Sequence, residues 1–232
     1  TEVPGGGKNA GTRRLFVAQG TGDVDVAGSI KAAGIEFDGY PSWVARRTGT
    51  DPEDVFMMLV SDRLRIAHTT LHVGVREALG QIDTHRIVRV IKATRTALHR
   101  IGIGTPKIAV SGINPHAGEG GLFGTDDEKI VAPAIAEAQE IGVDAYGPFG
   151  ADTMYLDESY DAYVVMFHDQ GHIPAKLLGF NGTAAFAIGT PVLFSSVAHG
   201  SALDIAGRGK ADPGALIWAI KQVSGAAVSA ED

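Results

Sequence analysis

The 232-residue sequence contains no cysteine. That excludes a disulfide framework, a thiolate metal site and a cysteine nucleophile, so a metal would have to be held by histidine, aspartate, glutamate or water. No apolar run approaches the roughly 20 residues that span a bilayer, and no apolar segment follows the N-terminal charges as in a secretory signal. The expectation is a cytoplasmic protein with no membrane partner. Positive charge is not in excess either: 20 Lys and Arg stand against 27 Asp and Glu, with no basic stripe. Nucleic acid is therefore a poor partner. A GxGxxG segment is also missing, so the ordinary Rossmann dinucleotide fingerprint is not available.

Alternating apolar runs and amphipathic segments point to an α/β layered fold. Buried strands are expected at Leu15–Gln19, Val55–Val60, Leu64–Thr70, Lys107–Val110, Tyr163–Phe167, Ala184–Ile188 and Val192–Val197. A polar turn, Ser61-Asp62-Arg63, joins the second and third of these. Pro41 opens a short helix to Thr48. Asp83 is placed to cap a long helix to about Arg100, whose apolar face is Ile87, Val90, Ile91, Thr94 and Leu98. Thr125 with Glu128 has the capping-box spacing for a helix to about Ile141. Gln170–Leu178 reads as a short helix, and Asp212-Pro213 caps a last one from Gly214 to about Val223.

Three histidines follow buried runs. His72 comes after Leu64–Thr70, His168 after Tyr163–Phe167, and His116 after Lys107–Val110, in the glycine-rich run Gly112-Ile113-Asn114-Pro115-His116-Ala117-Gly118-Glu119-Gly120-Gly121. Strand ends are where open α/β sheets bind ligands. Three imidazoles at three strand mouths are what an open catalytic metal site needs. Taken singly, each reads as a polar strand-end residue; the metal reading needs all three. Asp169 and Asp152 are candidates to orient an imidazole or to move protons, against a plain role in turns. Lys176, in an apolar surround, is a candidate for an acidic substrate group, against a solvated lysine.

The run His199-Gly200-Ser201-Ala202-Leu203-Asp204-Ile205-Ala206-Gly207 resembles the adenine-binding loop of isocitrate and isopropylmalate dehydrogenases. With Asn114–Gly120, Gly150-Ala151-Asp152-Thr153 and Phe167-His168-Asp169-Gln170-Gly171, it resembles the 4-hydroxythreonine-4-phosphate dehydrogenase (PdxA) family. These four motifs stand in the family's order, and the likeness runs from about Ala33 to the C-terminus. It implies a two-lobed α/β/α fold of the isocitrate/isopropylmalate dehydrogenase superfamily, with residues 1–110 as one lobe and 111–232 as the other. It also implies NAD-dependent oxidative decarboxylation of a hydroxy acid. His72, His116 and His168 match the family's metal ligands, for zinc first, with cobalt, nickel, manganese or magnesium as alternatives. The site would be shared across a homodimer. His199, Gly200, Ser201, Ala202, Asp204 and Gly207 would hold NAD, with Asp204 on the ribose hydroxyls. Asp152, Asp169 and Lys176 remain the candidate catalytic groups.

The sequence departs from the family's phosphate-substrate pattern. Its Gly-His-Thr-Glu is here Gly39-Tyr40-Pro41-Ser42, an asparagine position is Ala185, and an arginine position is Phe194. Losing an arginine that clamps phosphate is a large change. Tyr40, Ser42, Lys176 and Phe194 then line a site suited to a flat ring. That matches the branch resembling terephthalate dihydrodiol dehydrogenase, which oxidises aromatic-acid cis-dihydrodiols. The alternatives are a phosphorylated hydroxy acid as substrate, or a non-catalytic relative. The family's longer N-terminal region, with its Gly-Asp-Pro-x-Gly-Ile-Gly-Pro-Glu segment, is not in this sequence, and a chain lacking it is expected to have an incomplete cleft.

Overall fold

The computed structural model describes residues 16–17, 34, 40–62, 64–179, 183–197, 205 and 207–224. In chain order these form β1 (Phe16–Val17), α1 (Tyr40–Thr48), β2 (Phe56–Val60), β3 (Arg65–His68), α2 (Val75–Gln81), α3 (Thr84–Arg100) and β4 (Lys107–Ser111). They continue with α4 (Ala132–Glu140), β5 (Asp144–Phe149), β6 (Ala162–Val165), α5 (His168–Gly179), β7 (Ala184–Ile188), β8 (Phe194–Val197) and α6 (Gly214–Ser224).

The strands make one eight-stranded sheet in the order β1-β8-β7-β2-β3-β6-β4-β5. Strands β3, β6, β4 and β5 run parallel, whereas β2 is antiparallel to both β3 and β7. Strands from residues 1–110 and 111–232 therefore interleave in a single sheet. Both faces are covered. One core joins Met58, Ala67, Ile108, Val110, Val164 and Phe186 to helices α3, α4 and α6. Their sequence neighbours Leu59, Ile66, Ala109, Tyr163 and Val165 point the other way and pack on Ala175 of α5. The period-2 alternation of strands thus sorts side chains into two layers, an α/β/α arrangement.

Local chemistry explains most element ends. Asp83 caps α3 by accepting the Arg86 N–H at 2.7 Å, and Ile87, Val90, Ile91, Thr94 and Leu98 are all buried, as their spacing predicts. Ser61 closes the β2–β3 turn, its N–H donating to Leu64 O at 2.8 Å. Asp212 accepts the Gly214 N–H at 2.8 Å before α6. The Thr125–Glu128 capping box does not form. Asp127–Val131 is a π-helical turn leading into α4, and Thr125 Oγ1 instead accepts from Lys129 Nζ at 2.9 Å. Helix α2 and strand β5 carry no clear sequence pattern: α2 buries only Ala78, and β5 is a largely exposed edge strand containing Gly147-Pro148.

Candidate active site

Adjacent parallel strands end at the same sheet edge. Strand β6 pairs with β3 on one side (Ala67 opposite Val164) and with β4 on the other (Ala109 opposite Tyr163). The segments carrying His72, His168 and His116 therefore leave from neighbouring strand ends. The rings of His72 and His168 lie 5.5 Å apart between centroids. Two ties hold the loops together. Thr70 Oγ1 donates to Met166 O at 2.7 Å, fixing the His72 segment to the end of β6. Gln170 ties β6 to β4: its Oε1 accepts the N–H groups of Met166 and Phe167 at 2.9 and 3.0 Å, while its Nε2 donates to Gly112 O at 3.0 Å.

The His116 loop has an unusual backbone. Every residue from His116 to Gly121 has positive φ, including the non-glycine residues His116 (53°), Ala117 (53°) and Glu119 (44°). Such conformations cost roughly 1–2 kcal/mol per L-residue and concentrate at functional sites. Asp127 offsets that cost. Its side chain, only 2% exposed, accepts from the N–H groups of Ile113 and Asn114 at 2.7 and 3.0 Å and from Asn114 Nδ2 at 3.0 Å. A Cβ at Gly112 would meet Ala117 Cα at 2.7 Å, so only glycine lets the loop fold back there. The result is an outward-facing His116, its side chain 64% exposed, beside Phe123 (5.9 Å between rings) and 3.9 Å from Glu119.

His168 sits in a histidine cluster larger than the sequence reading anticipated. Its Nδ1 lies 2.7 Å from Asp169 Oδ1, the carboxylate partner that a ligating imidazole commonly has. The His172 ring stacks on it at 3.7 Å and 9°. His172 Nδ1 is 3.1 Å from Nε2 of His68, which is buried. Burial holds the His68 imidazole down at about 3, with His172 beside it adding to the effect. Burial, then the neighbouring His168, lowers His172 to about 4. Both rings are therefore neutral in ordinary buffers. A Cβ at Gly171 would collide with His68 Nε2 and meet Ile66 Cγ2 at 2.8 Å, so glycine permits α5 to approach β3 this closely. The signal for His68 and His172 was present: each stands four residues from a candidate ligand, in His68-x3-His72 and His168-x3-His172. Asp127 and Gln170 had no such signal.

The other predicted residues fall into separate places. Asp152 is exposed on a turn beside the His116 loop: a Cβ on Gly150 would meet Asp152 Oδ1 at 2.7 Å and His116 Cα at 3.5 Å. Lys176 is exposed on α5, one turn beyond His172. Tyr40 and Phe194 come together at 5.4 Å, but Phe194 is buried in a core cluster with Val44, Ala45 and Ala187, so its ring is not exposed to line a site as expected. Ser42 is half-buried on α1. His199, Gly200, Ser201, Ala202 and Asp204 lie outside the described residues, while Gly207 is in a turn with φ 73°.

The donor set fits a divalent metal in part. Two imidazoles on one tetrahedral ion, each nitrogen about 2.1 Å from it, put their ring centres about 5 Å apart. The His72–His168 spacing is close to that. Among the described residues of one chain, no group of three or more His, Asp or Glu is gathered as a metal would require.

A mixed sheet covered on both faces, with histidine-bearing segments leaving neighbouring strand ends at one edge, defines an α/β/α scaffold. A β-decarboxylating dehydrogenase from Thermococcus kodakarensis shares that fold, with a TM-score of 0.51 at 16% identity. Residues 26–223 match the family described as pyridoxal phosphate biosynthetic protein PdxA, and the chain belongs to that family. It is 48% identical over 192 residues to 1,2-dihydroxy-3,5-cyclohexadiene-1,4-dicarboxylate dehydrogenase of a Comamonas species, covering 83% of this chain and 61% of the relative. It is 41% identical over 196 residues to D-threonate 4-phosphate dehydrogenase of Salmonella typhimurium, covering 83% and 59%. A solved terephthalate 1,2-cis-dihydrodiol dehydrogenase from Burkholderia xenovorans superposes with a TM-score of 0.72 at 45% identity, covering 86% of this chain and 65% of that one. The chain spans about three fifths of the length of the curated relatives it matches (61% and 59% for the two above). No helix among the described residues is long and apolar enough to cross a membrane.

Proposed function

We propose that this chain forms part of a metal- and NAD-dependent dehydrogenase that oxidises and decarboxylates a hydroxy acid, with an aromatic-acid cis-dihydrodiol as substrate. The observation that supports this reading is that three histidine-bearing segments leave neighbouring strand ends at one sheet edge, with the His72 and His168 rings 5.5 Å apart. His72, His116 and His168 would hold a divalent cation, zinc first, with the set completed across a homodimer. The cation supplies Lewis-acid activation of a hydroxyl and stabilisation of developing negative charge.

The chain's own residues supply the rest. Asp169, on His168 Nδ1, leaves Nε2 with the lone pair that ligation uses. Lys176 offers an exposed ammonium to a substrate carboxylate. Asp152, beside the His116 loop, would take a proton. His199, Gly200, Ser201, Ala202, Asp204 and Gly207 would bind NAD, and the Asp204 carboxylate, on the ribose diol, would repel a 2′-phosphate. Bound NAD would supply the hydride acceptor for oxidation of the carbinol carbon, and loss of carbon dioxide from the resulting β-keto acid would leave the ring as a catechol.

Phosphorylated hydroxy acids are the second reading, favoured by the 41% identity to the threonate phosphate enzyme. Against it, Ala185 and Phe194 offer no charge for phosphate, and Phe194 is buried. A screen following NADH formation with dihydrodiol carboxylates beside phosphorylated hydroxy acids tests the assignment. We expect turnover with the former. Turnover confined to the latter would reverse it, and absence of both metal and NAD binding would support a non-catalytic relative.

A further inference from the structure

The hydrogen bonds behind His168 fix the tautomers of two further histidines. His68 Nδ1 lies 3.4 Å from the Met57 carbonyl. A carbonyl can only accept, so His68 Nδ1 carries the hydrogen, and the neutral ring leaves Nε2 as an acceptor. His172 Nδ1 lies 3.2 Å from the His168 carbonyl and 3.1 Å from His68 Nε2. Both partners accept, so His172 Nδ1 must also carry the hydrogen. Its Nε2, across the ring from the Nδ1 that faces His68, is then the acceptor nitrogen. The contact is built rather than incidental, because only glycine at position 171 lets α5 come close enough to β3 to make it.

We infer that His172 is a specificity-determining residue whose Nε2 accepts a hydrogen bond from a substrate hydroxyl, and that His68 is the positioning residue that holds it in that state. An acceptor-only nitrogen suits a hydroxyl donor and does not suit a carboxylate oxygen. Stacking at 3.7 Å keeps the His172 ring parallel to that of His168, so the acceptor is held beside the proposed metal ligand. The inference rests on the hydroxy-acid reading above and adds to it the group that recognises a second hydroxyl, as a cis-diol requires.

Long-range proton–nitrogen correlation spectra of the full chain, labelled with 15N-histidine, read the tautomers without any turnover. We expect His68 and His172 to be protonated at Nδ1, with both Nε2 atoms bare. Protonation of His172 at Nε2 would overturn the inference. Binding of a cis-dihydrodiol carboxylate, measured by calorimetry without NAD, tests the role. His172→Leu should weaken it about tenfold, the worth of one hydrogen bond. His68→Leu should weaken it similarly and His68→Gln, whose Oε1 can accept from His172 Nδ1–H, should restore it. Unchanged binding in His172→Leu would overturn the acceptor role, and unchanged binding in His68→Leu the positioning role. A wild-type chain that shows the expected tautomers but forms no NADH from any hydroxy acid would count against the proposed reaction alone.

Discussion

Replacing Asp127 tests whether the left-handed His116 loop is held by one buried carboxylate. Three L-residues in that conformation cost about 3–6 kcal/mol together. Asp127 opposes this with three bonds, from the Ile113 and Asn114 backbones and Asn114 Nδ2, at 2.7–3.0 Å. Hydrogen bonds to a charged group contribute about 1.5–3 kcal/mol each. Asp127→Asn keeps a single acceptor oxygen and sets its NH2 against a backbone N–H, so a loss of about 2–3 kcal/mol is expected. For a chain of this size that lowers Tm by about 4–12 °C. Calorimetry gives the global change. Amide exchange should show faster exchange at Ile113 and Asn114 than at the α3 amides. A variant within about 0.5 kcal/mol of the parent, with unchanged protection at those two amides, would refute the reasoning.

Gln170→Ala removes the link between the β4 and β6 ends; we expect a stability loss of about 1–3 kcal/mol with weakened metal affinity, and a variant with unchanged cobalt affinity would show that the two loops are positioned independently. His68 supplies a pH dependence. Its folded value of about 3 lies below the ordinary 6.5, so between these values the unfolded chain binds a proton that the folded chain refuses, and stability falls with falling pH by up to about 1.4 kcal/mol per unit. Denaturation midpoints across this window should flatten in His68→Leu, and an unaltered slope would assign the dependence to other groups. Asp204→Ala should relax the preference for NAD over NADP, read from the two KM values; an unchanged ratio would remove Asp204 from cofactor selection.

The sequence disclosed those parts of the fold whose local chemistry and burial agree. Helix α3 has both its Asp83 cap and a continuous apolar stripe, and β4 and β6 are short apolar runs buried on both faces. Helix α2 and edge strand β5 escaped because neither buries an apolar face. The capping-box pattern misled because π-turn geometry and the Asp127 staple took over the start of α4. The candidate site divides in the same way. His72, His116 and His168 were readable as strand-end histidines. The groups that hold them, Gln170 with Gly112 and His172 with His68, join positions 58 and 104 residues apart, contacts that only the folded sheet creates.

The most direct measurement is a crystal structure of the cobalt-loaded protein, with the ion located by anomalous scattering. The account predicts one ion coordinated by His72, His116 and His168 nitrogens at about 2.1 Å, the set completed across subunits. An ion bound elsewhere, or those three rings remaining apart in every assembled copy, would contradict it.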